Sequence, residues 1–291
     1  MLSYLAFLHL KQFRKLSLAY ITLSHKSGRM RGKMTDSYEV FKKSVFELTK
    51  IDLNSYKERQ MKRRIDSLIT KHKYNTYAEY VSVLKQNKVM FDEFVTYLTI
   101  NVSEFYRNPE QWQLLEKEIL PSLLQKSPNI KIWSAACSTG DEPYSLVMLL
   151  SKFMPLSKIK IIATDIDKQV LDKARMGLYN SKSLKGLPQE YISKFFTAVN
   201  ASTYQIADSV KACVEFRQHN LLKDPYPSGM DLIVCRNVLI YFTEEAKDVI
   251  YQKFNEALKP NGILFVGSTE QIIQPQNLGY STLKSFFYTK N

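Results

Sequence analysis

The acids with the clearest chemical setting are Asp141 and Glu142, within the stretch IWSAACSTGDEPYSL at residues 132–146. An apolar run precedes them, followed by the small residues Ala135, Ala136, Cys137, Ser138 and Gly140, which let backbone approach a ligand closely. Glu142 and Pro143 then open a helix. Bare N–H groups at a helix start favour a phosphate, whereas two carboxylates there repel one and suit a cationic ligand. The competing reading is a tight turn whose acids are favoured by the helix dipole. Asp165 closes the apolar run IKIIATD, 25 positions beyond Gly140. An acid near that offset commonly takes the ribose hydroxyls of a nucleoside cofactor. Asp167 competes as the N-cap of the next helix, and two aspartates allow both roles. Asn220, in HNLL, suits an adenine edge. Arg236, Asn237 and Tyr241, in CRNVLIYF, add polar groups after another apolar run.

These groups need elements to position them. Each follows a short apolar run, and the runs IKIWSAA, IKIIAT, CVEFRQ, MDLIVC and NGILFVGS alternate with the helical patterns EPYSLVMLLSKF, DKQVLDKAR and EEAKDVIYQKFNEALK. Strands separated by helices mean βαβ units and a parallel sheet covered on both faces. Right-handed crossovers then give a doubly wound α/β sheet, with its ligand at the carboxyl ends of the strands. A GxGxxG fingerprint is absent after the first strand, where Gly140 stands alone. Small residues followed by acids fit S-adenosylmethionine, with its amino group and sulfonium, better than a pyrophosphate.

Before residue 129 the pattern is helical throughout. Tyr38, Phe41, Val45 and Leu48 recur at helical spacing, as do Met61, Ile65 and Leu68. Residues 34–112 therefore read as a small all-α domain. Within it Lys57, Arg59, Lys62, Arg63 and Arg64 crowd eight positions, with Glu58 the only acid among them. That density suits an acidic partner, although a basic helix face is often plain solvated surface. Of the net +13, residues 1–33 supply seven Lys/Arg and no acid, leaving +6 for residues 34–291. The leader is too interrupted for a secretory h-region, and its acid-free character is like that of a transit peptide; it reads better as a mis-started or disordered extension before Met34. Three scattered cysteines and four histidines give no disulfide framework and no metal-ligand spacing. A reducing cytoplasm is the expected compartment, with no membrane insertion and a monomer as the expected state.

The motifs INVSEFYRNP, IWSAACSTGDEPYSL, ATDID, HNLL, DLIVCRNVLIYF and LFVGSTE, in this order, closely resemble the CheR-type chemotaxis receptor methyltransferases. That family moves a methyl group from S-adenosylmethionine to glutamates of chemoreceptors. The resemblance implies a helical N-terminal domain at 34–112 and a Rossmann-like methyltransferase domain at 113–291. A small antiparallel β-subdomain is inserted at about 178–212, where KFFTAV and STYQIA look like strands. By the same resemblance Asn101, Ser103, Arg107, Glu142, Asp165, Asn220, Leu221, Arg236 and Asn237 bind the cofactor, and the product is S-adenosylhomocysteine. Arg107 and Tyr241 lie nearest the transferring methyl, and no metal is needed. Arg59, Lys62, Arg63 and Arg64 become candidates for docking receptor methylation helices. Ser103 stands where threonine is common, and Asp141 where glutamate is common; both keep the functional group.

A glutamate side chain ionises near pH 4.3, so at neutral pH it is already a nucleophile without a general base. The enzyme must then supply alignment, an effect of up to about 7–11 kcal/mol. Two alternatives are weighed against this reading. A nucleic-acid methyltransferase is suggested by RNVLIY and the basic charge, but no prolines follow Asn237. A non-catalytic S-adenosylmethionine-binding adaptor is opposed by the presence of Arg107 and Tyr241.

Overall fold

A computed structural model describes residues 36–291. The extension at 1–33 lies outside the described residues. Four helices, α1 (Tyr38–Thr49), α2 (Glu58–Lys71), α3 (Tyr77–Gln86) and α4 (Lys88–Thr99), form the N-terminal unit. Their apolar stripes meet in one core: Phe41, Val45, Met61, Ile65, Leu68, Tyr80 and Phe94 are all buried there. Local chemistry sets the ends. Thr76 caps α3 by accepting the Glu79 N–H, and Asn87 caps α4 by accepting that of Met90.

The chain then crosses a linker, residues 100–108, into α5 (Pro109–Leu114), which continues through a π turn (Leu115–Ile119) into α6 (Leu120–Lys126). The sequence pattern runs the helical domain to residue 112. In the structure Phe105 and Tyr106 of the linker and Trp112 of α5 instead join the core beneath the sheet.

Seven strands follow one another across the sheet in the order β6-β2-β1-β7-β8-β10-β9. They are β1 (Ile132–Ala135), β2 (Ile161–Asp165), β6 (Val214–Gln218), β7 (Met230–Cys235), β8 (Leu258–Val266), β9 (Tyr280–Lys284) and β10 (Phe287–Lys290). The first five in spatial order pair in parallel, while β10 runs antiparallel to β8 and to β9. β1 and β7 are buried along their full length, which accounts for their unbroken apolar runs. Successive residues serve opposite faces: Leu232 and Val234 pack into one core layer, Ile233 and Cys235 into the other. Helices α7 (Asp141–Leu150), α8 (Lys168–Met176) and α11 (Glu244–Ala257) supply the crossovers. From β1 the chain builds outward to β2 and β6, then returns to place β7 on the other side of β1. The crevice at the ends of β1 and β7 is therefore the topological switch point.

Between β2 and β6 lies a second, antiparallel sheet of order β3-β5-β4, with β3 at Leu178–Asn180, β4 at Phe196–Asn200 and β5 at Thr203–Ile206. It also carries α9 (Gln189–Phe195) and α10 (Asp208–Lys211). The C-terminal hairpin of β9 and β10 has no counterpart in the sequence reading. Its outer strand is exposed at four of five positions, so it carries little apolar alternation.

Candidate active site

At the switch point the strand ends open into a cavity. The loop from β1 to α7 forms its floor, and that loop is held in unusual backbone geometry. Ala136 and Ser138 have φ of 63° and 49°, and Gly140 has φ of 88°. A Cβ on Gly140 would stand 3.0 Å from Ala174 Cβ and 3.2 Å from the Tyr179 hydroxyl, so this turn needs glycine. Among the described residues, six of eleven non-glycine positive-φ positions (Ile100, Tyr106, Asn108, Ala136, Ser138 and Asn237) lie in three loops at the cavity. Strain concentrated this way is characteristic of functional sites.

Two carboxylates face the cavity from below. Asp165, at the end of β2, accepts the Ser138 N–H at 2.8 Å and the Asp167 N–H at 3.0 Å. Each oxygen retains a second lone-pair site for a ligand hydroxyl. Burial pushes its pKa up to about 6. Glu142 receives the Ser134 hydroxyl at 2.8 Å and lies 3.6 Å from the Arg236 guanidinium. Burial raises its pKa, and the Arg236 charge opposes that rise. Asp167 does take the N-cap role, accepting the Gln169 N–H at 2.8 Å, which leaves Asp165 free for a ligand.

All ten residues assigned from sequence to the cofactor or the methyl line this one cavity: Asn101, Ser103, Arg107, Glu142, Asp165, Asn220, Leu221, Arg236, Asn237 and Tyr241. Several also carry structural duties. Asn101 donates its amide to Asp167 at 2.8 Å, which pins the linker onto the end of β2. Arg236 is buried and donates to the Arg107 carbonyl at 2.7 Å and to Gln111 at 2.8 Å, tying the same linker to β7. Asn220 uses its side-chain oxygen to accept the Leu222 N–H at 2.9 Å, so its NH2 remains for a ligand.

The helical unit closes one wall, which the sequence does not reveal. Tyr56 lines the cavity, and its ring stacks on Phe242 with centroids 4.6 Å apart. Around that pair the backbones bridge as in a sheet: Lys57 N–H donates to the Tyr241 carbonyl, and Thr243 N–H to the Ser55 carbonyl, both at 2.9 Å. Leu98, Thr99 and Ile100 complete this wall. The four basic docking candidates divide. Arg59 and Arg63 are exposed. Lys62 is bound to Asp66 at 2.9 Å and to the Tyr77 hydroxyl at 2.6 Å. Arg64 lies on the Tyr97 ring at 4.6 Å and donates to its carbonyl at 2.8 Å.

A sheet of this order, with an acid-floored cavity at its switch point, defines a Rossmann-like methyltransferase. Two family models divide the chain between them: "CheR methyltransferase, all-alpha domain" matches residues 36–99, and "CheR methyltransferase, SAM binding domain" matches 101–286. The chain belongs to the CheR methyltransferase family and is an S-adenosylmethionine-dependent enzyme. It is 47% identical over 241 residues to the "Chemotaxis protein methyltransferase" of Listeria monocytogenes, covering 82% of this chain and 92% of that one. A protein of the same name from Borreliella burgdorferi is 33% identical over 251 residues, covering 82% and 89%.

The wall fits that cofactor. Ser138 Oγ and His219 Nδ1 are buried without a hydrogen-bond partner among the described residues, as in a cradle that leaves polar groups for a ligand. Two carboxylates on the cavity wall suit a cationic amino acid end better than a phosphate. Among the described residues no group of three or more His, Cys, Asp or Glu could hold a metal ion. No described helix is long and apolar enough to cross a membrane.

Proposed function

We propose that this enzyme methylates glutamate side chains of chemotaxis receptors, forming methyl esters. One observation carries the reading. Arg236 is engaged by Glu142, so Arg107 is the cavity's cation without a carboxylate partner among the described residues. A free guanidinium beside a site that needs no base is suited to an incoming carboxylate. When bound, S-adenosylmethionine supplies a sulfonium methyl electrophilic enough for an ionised carboxylate to take.

The chain's own groups then have divided tasks. Glu142 holds the amino group of the methionine end, and Ser103 and Asn101 shape the linker around it. Asp165 accepts from the ribose, while Asn220 and Leu221 border the adenine. Asn237 walls the cavity beside them. Arg107 orients the substrate carboxylate and Tyr241 steers it with its hydroxyl. The relatives' name, "Chemotaxis protein methyltransferase", supports the receptor as substrate. The exposed Arg59 and Arg63 support docking of its acidic helices.

The test is incubation of purified protein with methyl-labelled cofactor and either receptor cytoplasmic fragments or RNA. Base-labile label on the receptor is the expected product. Label on RNA would replace this reading with a nucleic-acid methyltransferase, and cofactor binding with no transfer to either would make the protein an adaptor.

A further inference from the structure

Behind the loop at residues 236–241 stands a carboxylate that the chemistry above does not use. Glu270, in the segment GSTE that follows β8, is 5% exposed. Its Oε1 accepts the backbone N–H of Val238 at 2.8 Å and of Leu239 at 2.6 Å. Its Oε2 accepts the N–H of Gly267 at 2.9 Å and that of Asn237. Four donors converge on one buried side chain, and all four are backbone.

The place of these donors gives the carboxylate its meaning. Leu239 opens the three-residue 3-10 turn that ends at Tyr241, so the N–H groups of Val238 and Leu239 lack partners within the turn itself. Asn237 has φ of 60°, a conformation that needs outside support. Gly267 lies just past the end of β8, and β8 pairs with β7 through Cys235 and Val266. Glu270 therefore stitches together the ends of two neighbouring strands. A Cβ on Gly267 would collide with Oε2 and stand 2.9 Å from Asn237 N, so the glycine makes room for the carboxylate.

We propose that Glu270 is a positioning residue for methyl transfer, its carboxylate fixing the 237–241 turn so that Tyr241 faces the cavity. The proposal rests on the reading of Tyr241 given above. Both oxygens accept two N–H donors, which only a carboxylate can do without presenting a donor of its own. Glutamine keeps the shape but turns an NH2 toward two backbone N–H groups. The turn then shifts, and misplacement on the ångström scale lowers turnover by ~10–100-fold.

The experiment is a double-mutant cycle of E270Q with Y241F in the full chain. It reads single-turnover methylation of a receptor fragment and S-adenosylhomocysteine affinity by calorimetry. The expected result is a ~10–100-fold slower turnover for E270Q with affinity within about threefold, and little further loss when Y241F is added. Wild-type turnover in E270Q, loss of affinity in proportion to turnover, or an undiminished Y241F penalty in the E270Q background would each overturn it. If E270Q does not fold, E270D, which keeps the charge one methylene shorter, goes through the same cycle and is decided by the same outcomes. If Y241F alone is silent, the reading of Tyr241 fails, and Glu270 is judged by the turnover of E270Q. If the wild type methylates no receptor fragment, the substrate reading fails instead. Glu270 is then judged by amide exchange at Val238 and Leu239, which E270Q must accelerate.

Discussion

Two charged regions lie on either side of the Tyr56–Phe242 contact, and charge behaves differently in each. In the cavity Asp165 is buried and Glu142 half-buried, and desolvation lifts the pKa of both. On α2, Arg59 and Arg63 stand in solvent, while Lys62 and Arg64 are absorbed by Asp66, Tyr77 and Tyr97. Desolvated charge interacts strongly and tolerates little change. Solvated charge is screened within about 10 Å at 0.1 M salt and acts mainly on encounter. The cavity should therefore decide chemistry, and the helix should decide who arrives.

The sharpest way to break this comparison is at Arg107. R107A should lower single-turnover methylation of receptor fragments by ~10²–10³-fold, the range for losing one preorganised electrostatic partner. A loss of only a few-fold would mean the buried region is as forgiving as the surface. Next comes Asp165: D165N should weaken S-adenosylhomocysteine binding by ~10–100-fold in titration calorimetry. Asp165 ionises near pH 6, and the ionised form is the better acceptor. Wild-type affinity should thus be level above about pH 7 and fall as pH drops through 6, while D165N should show a flatter profile. Y241F should slow turnover by about tenfold with product affinity unchanged. The smallest effect belongs to α2. R59E/R63E should raise KM for the receptor about three- to tenfold at low salt, shrinking as salt is added, with cofactor affinity intact. A salt-independent loss would show that the face is not solvated charge at all.

How far the sequence anticipates this architecture depends on the range of the interactions. Strand ends are readable because apolar runs stop where polar groups begin, as at Ala163–Asp165 and Val234–Asn237. Two strands of the three-stranded insertion are readable in KFFTAV and STYQIA, whereas β3, only three residues long, is not. Tyr56 is invisible because its partner Phe242 lies far away in sequence, and a tyrosine between two helices carries no periodic signal. Glu270 is in view as part of LFVGSTE, yet nothing local says that its carboxylate gathers N–H groups from residues 237–239. The duties of Lys62 and Arg64 are equally hidden: a basic helix looks solvated until an aromatic ring such as Tyr97 is folded against it.

The Tyr56–Phe242 contact also bears on what either part of the chain can do alone. One wall of the cavity is borrowed from the four-helix unit, held in part by a β-bridge that sits two residues before α2. A catalytic half cut free at residue 100 would keep its acids but present an open dish instead of a chamber. On the reading proposed above, the stretch that seals the cavity leads directly into the helix that would offer Arg59 and Arg63 to the methyl acceptor, which would join the two grips mechanically.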